Sequence, residues 1–174
     1  MFTEVNNKIL QFFFRNPTKT FHLREIARQT KLSAAGALKS LRRLEKSSLV
    51  IRQKTKATDN FKAQLENKEF RNLKYVYNIY SIKNSGLMDY LNEKYGFPEA
   101  VILFGSYSKG EDLETSDIDI AIITKKERSF DLSKYEKMLE RKIAIHEISI
   151  EKASKEFLNN LINGIVMEGY LKIK

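Results

Sequence analysis

Apolar positions recur at helical spacing through most of the first half of the chain and then give way to continuous apolar runs. In residues 3–14, Val5, Ile9, Leu10, Phe12 and Phe13 mark a helix that Asn16-Pro17 ends. His22 to Thr30 reads as a second helix, with Leu23, Ile26 and Ala27 inward. Ser33 is a good N-cap, because its oxygen can accept a backbone N–H of the next turn. The third helix it opens runs to about Lys46, with Ala34, Ala37, Leu38, Leu41 and Leu44 on one face. Ala35, Gly36, Lys39, Ser40, Arg42 and Arg43 read as the opposite face. Leu49-Val50-Ile51 and Phe61 to Leu65 read as short strands around a polar turn rich in Lys and Thr. Phe70, Leu73, Tyr77 and Tyr80 then stripe a helix over 67–83, and Leu87 to Tyr95 forms another that Gly96-Phe97-Pro98 breaks.

The second half changes period. Ala100 to Phe104 is a continuous apolar run, the pattern of a buried strand, and Ser116 to Ile123 is a second strand. Ile143 to Ile150 is a third. The tail from Phe157 to Tyr170 has helical apolar spacing and is expected to be a closing core helix.

Composition narrows the chemistry. The 174 residues are 42% hydrophobic and 30% charged, an ordinary globular balance. There is no cysteine, which excludes disulfides and thiolate sites, and two histidines are too few for a histidine-rich zinc site. The start, MFTEVNNKIL, lacks the pattern of a signal peptide, and no apolar run approaches the roughly 18 residues of a membrane span. A soluble cytoplasmic protein with no membrane partner is the expectation. The net charge of +9 is unevenly spread: residues 1–85 carry 18 Lys and Arg against 6 Asp and Glu, and residues 86–174 carry 13 against 16. The basic front suits a polyanion.

Small residues at the start of the third helix's exposed face allow close approach to a DNA groove, and Lys39, Arg42 and Arg43 can reach phosphates. Three helices followed by two strands around a basic turn make residues 1–66 resemble the winged helix-turn-helix family. The resemblance implies binding of duplex DNA through Ala35, Gly36, Lys39, Arg42 and Arg43. A homodimer on a two-fold site is expected, because one such domain binds modestly. Some winged helices bind protein instead.

Candidate chemistry lies in residues 100–150. Asp117 and Asp119, two apart on a strand, point to one face about 7 Å apart along the backbone. Two like charges on one face repel unless a cation sits between them, and hard cations take carboxylate oxygen. Gly105 after a strand lets the backbone approach a phosphate. A helix after it would aim N–H groups at that anion, Ser106 adds a hydroxyl and Lys109 a positive charge.

Phe104-Gly105-Ser106 with Asp117-Ile118-Asp119 resembles the signature of the DNA polymerase β-like nucleotidyltransferases, and GSYSKG…SDIDIAI looks most like their minimal branch. The whole chain resembles prokaryotic fusions of a winged helix with a minimal nucleotidyltransferase. The resemblance implies an α+β protein: a winged helix of three helices plus a β-hairpin (1–66), a connecting helix (67–85), and a small mixed-sheet domain flanked by helices (86–174). It implies transfer of a nucleoside monophosphate from a nucleoside triphosphate, with ATP favoured, to an unnamed acceptor. It also implies Mg²⁺ or Mn²⁺ on Asp117 and Asp119, and the triphosphate on Gly105, Ser106 and Lys109. That family usually has a third carboxylate on a neighbouring strand. Glu147 is the candidate here, as metal ligand and base, although the family commonly has Asp. A register shifted by one would put His146 there, which otherwise reads as an ordinary strand-face histidine. Two rival readings stay open: a nucleotide-sensing transcriptional regulator without turnover, and an antitoxin-like protein paired with a small helical partner.

Overall fold

The computed structural model describes residues 4–54, 58–125 and 127–172. The chain divides into two compact units, Met1–Tyr77 and Asn78–Lys174, each with its own core.

The front unit contains α1 (Glu4–Arg15), β1 (Thr20–His22), α2 (Leu23–Gln29), α3 (Ala34–Lys46), β2 (Val50–Lys54), β3 (Asp59–Ala63) and the first part of α4 (Lys68–Ser85). The strands form an antiparallel sheet in the order β1-β3-β2. The strand reading above anticipates β2 and β3 but not β1, whose three residues are too few to show a period. The core joins Ile9 and Phe13 of α1, Ile26 of α2, Leu41 of α3, Phe61 of β3 and Phe70 of α4, all fully buried. Burial of each such side chain contributes roughly 1.5–3 kcal/mol. Ser33 caps α3, its side chain accepting from the Gly36 N–H at 3.1 Å.

Ser40 departs from expectation, being buried with Ala37, Leu41 and Leu44. The 3.6-residue period sets it on the inner stripe, three after Ala37 and four before Leu44. Ala34, expected inward, is exposed. Of the basic turn between β2 and β3, Thr55, Lys56 and Ala57 lie outside the described residues.

The back unit contains the rest of α4, α5 (Leu87–Tyr95), β4 (Ala100–Phe104), β5 (Ile118–Ile123), α6 (Ser133–Leu139), β6 (Ile143–Ile148), α7 (Lys155–Ile162) and β7 (Ile165–Gly169). The sheet order is β6-β5-β4-β7: β4 runs antiparallel to both β5 and β7, while β5 and β6 are parallel. Alternation splits its side chains between two cores. Val101, Leu103, Ile118, Ile120 and Ile122 pack with Ile82, Leu91, Tyr135 and Leu139. Ala100, Ile102, Phe104, Ala121 and Ile123 pack with Leu161 and Phe157 of α7. Helices therefore cover both faces of a mixed sheet.

The tail is the main correction to the secondary structure. Only Lys155–Ile162 is helical, and Ile165–Gly169 is a strand on the edge of β4. Gly164 and Gly169, which lie within the stretch expected to be helical, make close backbone contacts. A Cβ at Gly169, where φ is +70°, would stand 2.2 Å from the Glu99 carbonyl oxygen.

Candidate active site

The register between β4 and β5 sets the site. Phe104, the last residue of β4, pairs with Asp119, so the chain leaving β4 at Gly105 passes beside the Asp119 side chain. Gly105 has φ +73°, and a Cβ there would stand 2.3 Å from Asp119 Oδ2. Only glycine allows both the turn and the carboxylate in this place.

After Gly105 the chain makes a single 3-10 turn over Tyr107–Lys109 that ends at Gly110, φ +70°. A longer helix was expected to present its N-terminus to an anion. The turn is too short for that, because Gly110 reverses the chain in the left-handed region. Ser108 donates to the Gly105 carbonyl at 2.8 Å, and the Lys109 and Glu111 N–H groups both donate to the Ser106 carbonyl at 3.1 Å. Ser106 is half-buried and Lys109 exposed.

A buried polar network that sequence reasoning missed fixes this turn. Asn78 of α4 donates through Nδ2 to the Tyr107 carbonyl at 2.9 Å and to Asp112 Oδ1 at 2.7 Å. Arg141 Nη2 lies 3.5 Å from Asp112 Oδ2 with both side chains buried. Three polar residues far apart in sequence carry no local signal. Only Asn78, a polar residue inside an otherwise amphipathic helix, hints at it.

The predicted site residues separate into two groups. Asp119 is half-buried on β5, and His146 Nε2 of β6 approaches its Oδ1 to 3.4 Å. The His146 ring lies edgewise to Phe104 at 5.2 Å and tilted to Phe157 at 6.1 Å. Asp117 is exposed one residue before β5 and borders a cleft of about 550 Å³ shared with Ser116, Ser133, Lys137 and Lys142. Beside that cleft, Glu136 accepts from Lys142 Nζ at 2.9 Å and from the Ile143 N–H at 3.1 Å. The Lys142 bond first, then the backbone bond, holds the Glu136 carboxyl below its usual range.

Glu147 is not brought to this group. In the parallel register Ala144 stands opposite Asp119 and Glu147 opposite Ile122, whose side chain belongs to the other core. Glu147 accepts from Tyr95 Oη and from the Arg128 N–H, each at 2.6 Å. Burial first, then the bond to Glu147, pushes the Tyr95 hydroxyl well above its ordinary pKa. The physical reason is the two-residue strand period: one step along β6 reverses the face. His146, not Glu147, shares the Asp119 side of the sheet.

Among the described residues, no three His, Asp or Glu side chains form a group that could by itself hold a metal ion. Two carboxylates nevertheless suit a cation of the Mg²⁺ class, which is usually held by one or two carboxylates with substrate phosphate and water completing its shell. With no Cβ at Gly105, no side chain at that position crowds the Asp119 carboxylate.

In the front unit, Ala35, Lys39, Arg42 and Arg43 are exposed on α3 and Gly36 is half-buried. His22 stands at the start of α2 and lines a cleft with Arg24, Arg28 and Asp59. No described helix is long and apolar enough to cross a membrane.

Comparison with solved structures finds distant likeness. One is a possible transcriptional regulator from Methanosarcina mazei Go1, 17% identical with a TM-score of 0.36, over 53% of this chain and 78% of that one. Another is NadR in complex with 4-hydroxyphenylacetate, 19% identical with a TM-score of 0.38, over 52% of this chain and 61% of that one. No curated protein matches. The pattern of the nucleotidyltransferase domain matches residues 85–172, which hold the Gly105 turn, Asp117 and Asp119. Spanning half of the sequence, that match establishes that the chain belongs to the nucleotidyltransferase domain family.

Proposed function

We propose that the protein transfers a nucleoside monophosphate from a nucleoside triphosphate, ATP by preference, to an acceptor, and that its front unit is a winged helix that binds duplex DNA. The observation that carries the first part is the placement of Asp119 against Gly105 by the β4–β5 register, within the family match. Gly105 and Ser106 hold the triphosphate, with Lys109 supplying positive charge. Asp117 and Asp119 are the residues that would hold Mg²⁺ or Mn²⁺. When bound, the cation neutralises charge on the transferring phosphate and on the leaving group. An acceptor hydroxyl oxygen attacks the α-phosphorus and its proton passes to solvent, the bond from the α-phosphorus to the bridging oxygen of the β-phosphate breaks, and pyrophosphate leaves. Such transfer rests mainly on positioning and charge neutralisation, so a small domain suffices.

A second reading has a specific basis. Ala144, which has no acid, stands opposite Asp119, and Glu147, the expected third carboxylate, bonds Tyr95 and the Arg128 N–H instead. Nucleotide binding without turnover, coupled to regulation through DNA, accords with that arrangement.

The test is calorimetry and mass spectrometry on the full chain. Wild type should bind Mg²⁺–ATP and add a nucleoside monophosphate mass to an acceptor from cell lysate. The Asp117→Asn, Asp119→Asn double variant should lose the metal-dependent binding while staying folded. Unchanged affinity in that variant would sink the site assignment, and binding without any adduct would favour the sensor.

A further inference from the structure

We propose that the exposed face of α4 pairs with the same face of a second copy of this chain, the two helices lying antiparallel about a two-fold axis at Val76. Glu69, Asn72, Val76, Tyr80 and Lys83 are all exposed on α4. Their spacing of three, four, four and three residues keeps them within an arc of about 80°. That arc runs nearly the whole length of the helix, while Phe70, Asn78 and Ile82 are buried elsewhere around it.

The stripe does not suit a face turned only to water. Val76 is 60% exposed and Tyr80 62%. One exposed apolar side chain is ordinary, but two neighbours at i and i+4 in the body of a long helix mark a contact surface. Val and Tyr also form helix less readily than Ala, Lys or Glu, so a solvated face gives no reason for them. By its spacing Tyr80 belongs with Phe70, Leu73 and Tyr77, which join the front core, yet the fold leaves it outside.

The charges choose the occupant. Asn72 and Tyr80 stand four residues either side of Val76, and Glu69 and Lys83 seven. Along the helix axis those separations are about 6 Å and about 10.5 Å. Two antiparallel copies therefore meet Val76 to Val76, Asn72 to the partner's Tyr80, and Glu69 to the partner's Lys83. The two-fold axis repeats each of the last two contacts. An amide faces a phenol hydroxyl and a carboxylate faces an ammonium, with the apolar pair at the centre. Parallel copies would instead set Glu69 against Glu69 and Lys83 against Lys83, which repel. Exposed ion pairs fix the direction more than they add affinity, so the apolar centre carries most of the attraction. Packed helices stand about 8–10 Å apart, a distance that Val at the crossing point allows. One helix pair is smaller than a permanent interface, so the association is reversible and depends on concentration. Such a pair holds two front units, which on the DNA reading above is the number that a two-fold site takes.

Sedimentation equilibrium on the full chain tests the inference between about 1 and 100 μM, the range of a weak interface. The mass of wild type should climb from that of one chain toward that of two. Val76→Glu sets two carboxylates face to face at the axis and should weaken the pair at least about tenfold. Val76 is exposed, so the fold of the single chain is spared, as a thermal melt would show. Glu69→Lys should also weaken the pair, and Lys83→Glu added to it should restore association. The chain has no cysteine, so single introduced cysteines report direction. With a short bis-maleimide, Val76→Cys should link to itself, whereas Glu69→Cys and Lys83→Cys should link only when the two are mixed. Wild type that stays a single chain at about 100 μM would overturn the proposal and leave the stripe to a different protein. A pair that Val76→Glu leaves intact would place the interface elsewhere, and self-linking of Glu69→Cys would make the helices parallel; either result sinks the arrangement.

Discussion

The Asp119 carboxylate lies over Gly105 so closely that a Cβ at 105 would stand 2.3 Å from Oδ2. Glycine here meets two demands at once, a left-handed backbone and room for the carboxylate. Gly105→Ala should therefore act on the site more than on the fold. The backbone penalty is about 1–2 kcal/mol, and Asp119 must move aside. Mg²⁺–ATP affinity should fall at least tenfold, since displacement of about 1 Å at a site can cost up to 10²-fold in rate. Calorimetric binding beside a thermal melt checks this. Full affinity in a folded Gly105→Ala protein would show that Asp119 is not used.

The site was legible in part, and the reason is local periodicity. The apolar run to Phe104, the Gly-Ser turn and Asp117-Ile118-Asp119 all declare themselves within a few residues. The face of β6 does not. Whether His146 or Glu147 meets Asp119 depends on pairing with β5, and a slip of one residue exchanges them. The tail fails as a helix from Ile165 onward for the same kind of reason. Its strand exists by pairing with β4, a partner some 65 positions away that no short window contains. The Asn78–Asp112 contact spans 34 positions and is equally silent in the sequence.

Glu147 and Tyr95 give a prediction of opposite sense. Glu147→Gln should change nucleotidyl transfer less than about threefold, because Glu147 does not reach the carboxylate pair. It should lower the Tyr95 pKa, since the charge that opposes phenolate formation is gone. The Tyr95 pKa is raised above its ordinary 10.0 in the folded protein. The stability linked to it is therefore full below pH 10 and is lost as pH climbs above that value. Phenolate absorbance followed through an alkaline titration of both proteins reads the shift. A transfer rate that collapses in Glu147→Gln would return it to the active site.

The buried polar network should matter to stability. Asn78→Ala removes the donor to the Tyr107 carbonyl and to Asp112 Oδ1. Leaving two buried acceptors each one donor short costs about 2–4 kcal/mol. For a chain of this length that is a fall of roughly 5–10 °C in melting temperature. Nucleotide binding should weaken with it, because the carbonyl that Asn78 holds belongs to the turn after Gly105. An unchanged melting curve would mean that water replaces the amide without loss.

The front unit makes the prediction that separates the two readings of the chain's purpose. Residues 1–85 carry 18 Lys and Arg against 6 Asp and Glu, and Lys39, Arg42 and Arg43 stand exposed along α3. Arg42 and Arg43 lie in the second half of the helix and are assigned to phosphates. Each phosphate contact releases condensed counterions, so the affinity for duplex DNA should fall by about 0.9 log units per log unit of salt for each contact. Arg42→Ala with Arg43→Ala should weaken binding to every sequence and flatten that slope by about 1.8. Ala35, Gly36 and Lys39 lie nearer the capped start of α3, where recognition helices read base edges, so changes there should alter sequence preference with little change in slope. Fluorescence titration of the full chain against random and genomic duplexes at two salt concentrations distinguishes these outcomes. Repeating it with Mg²⁺–ATP present asks whether nucleotide alters the affinity, as a sensor requires and a transferase does not. No binding at low salt would remove the DNA role and leave the exposed face of α3 to a protein partner.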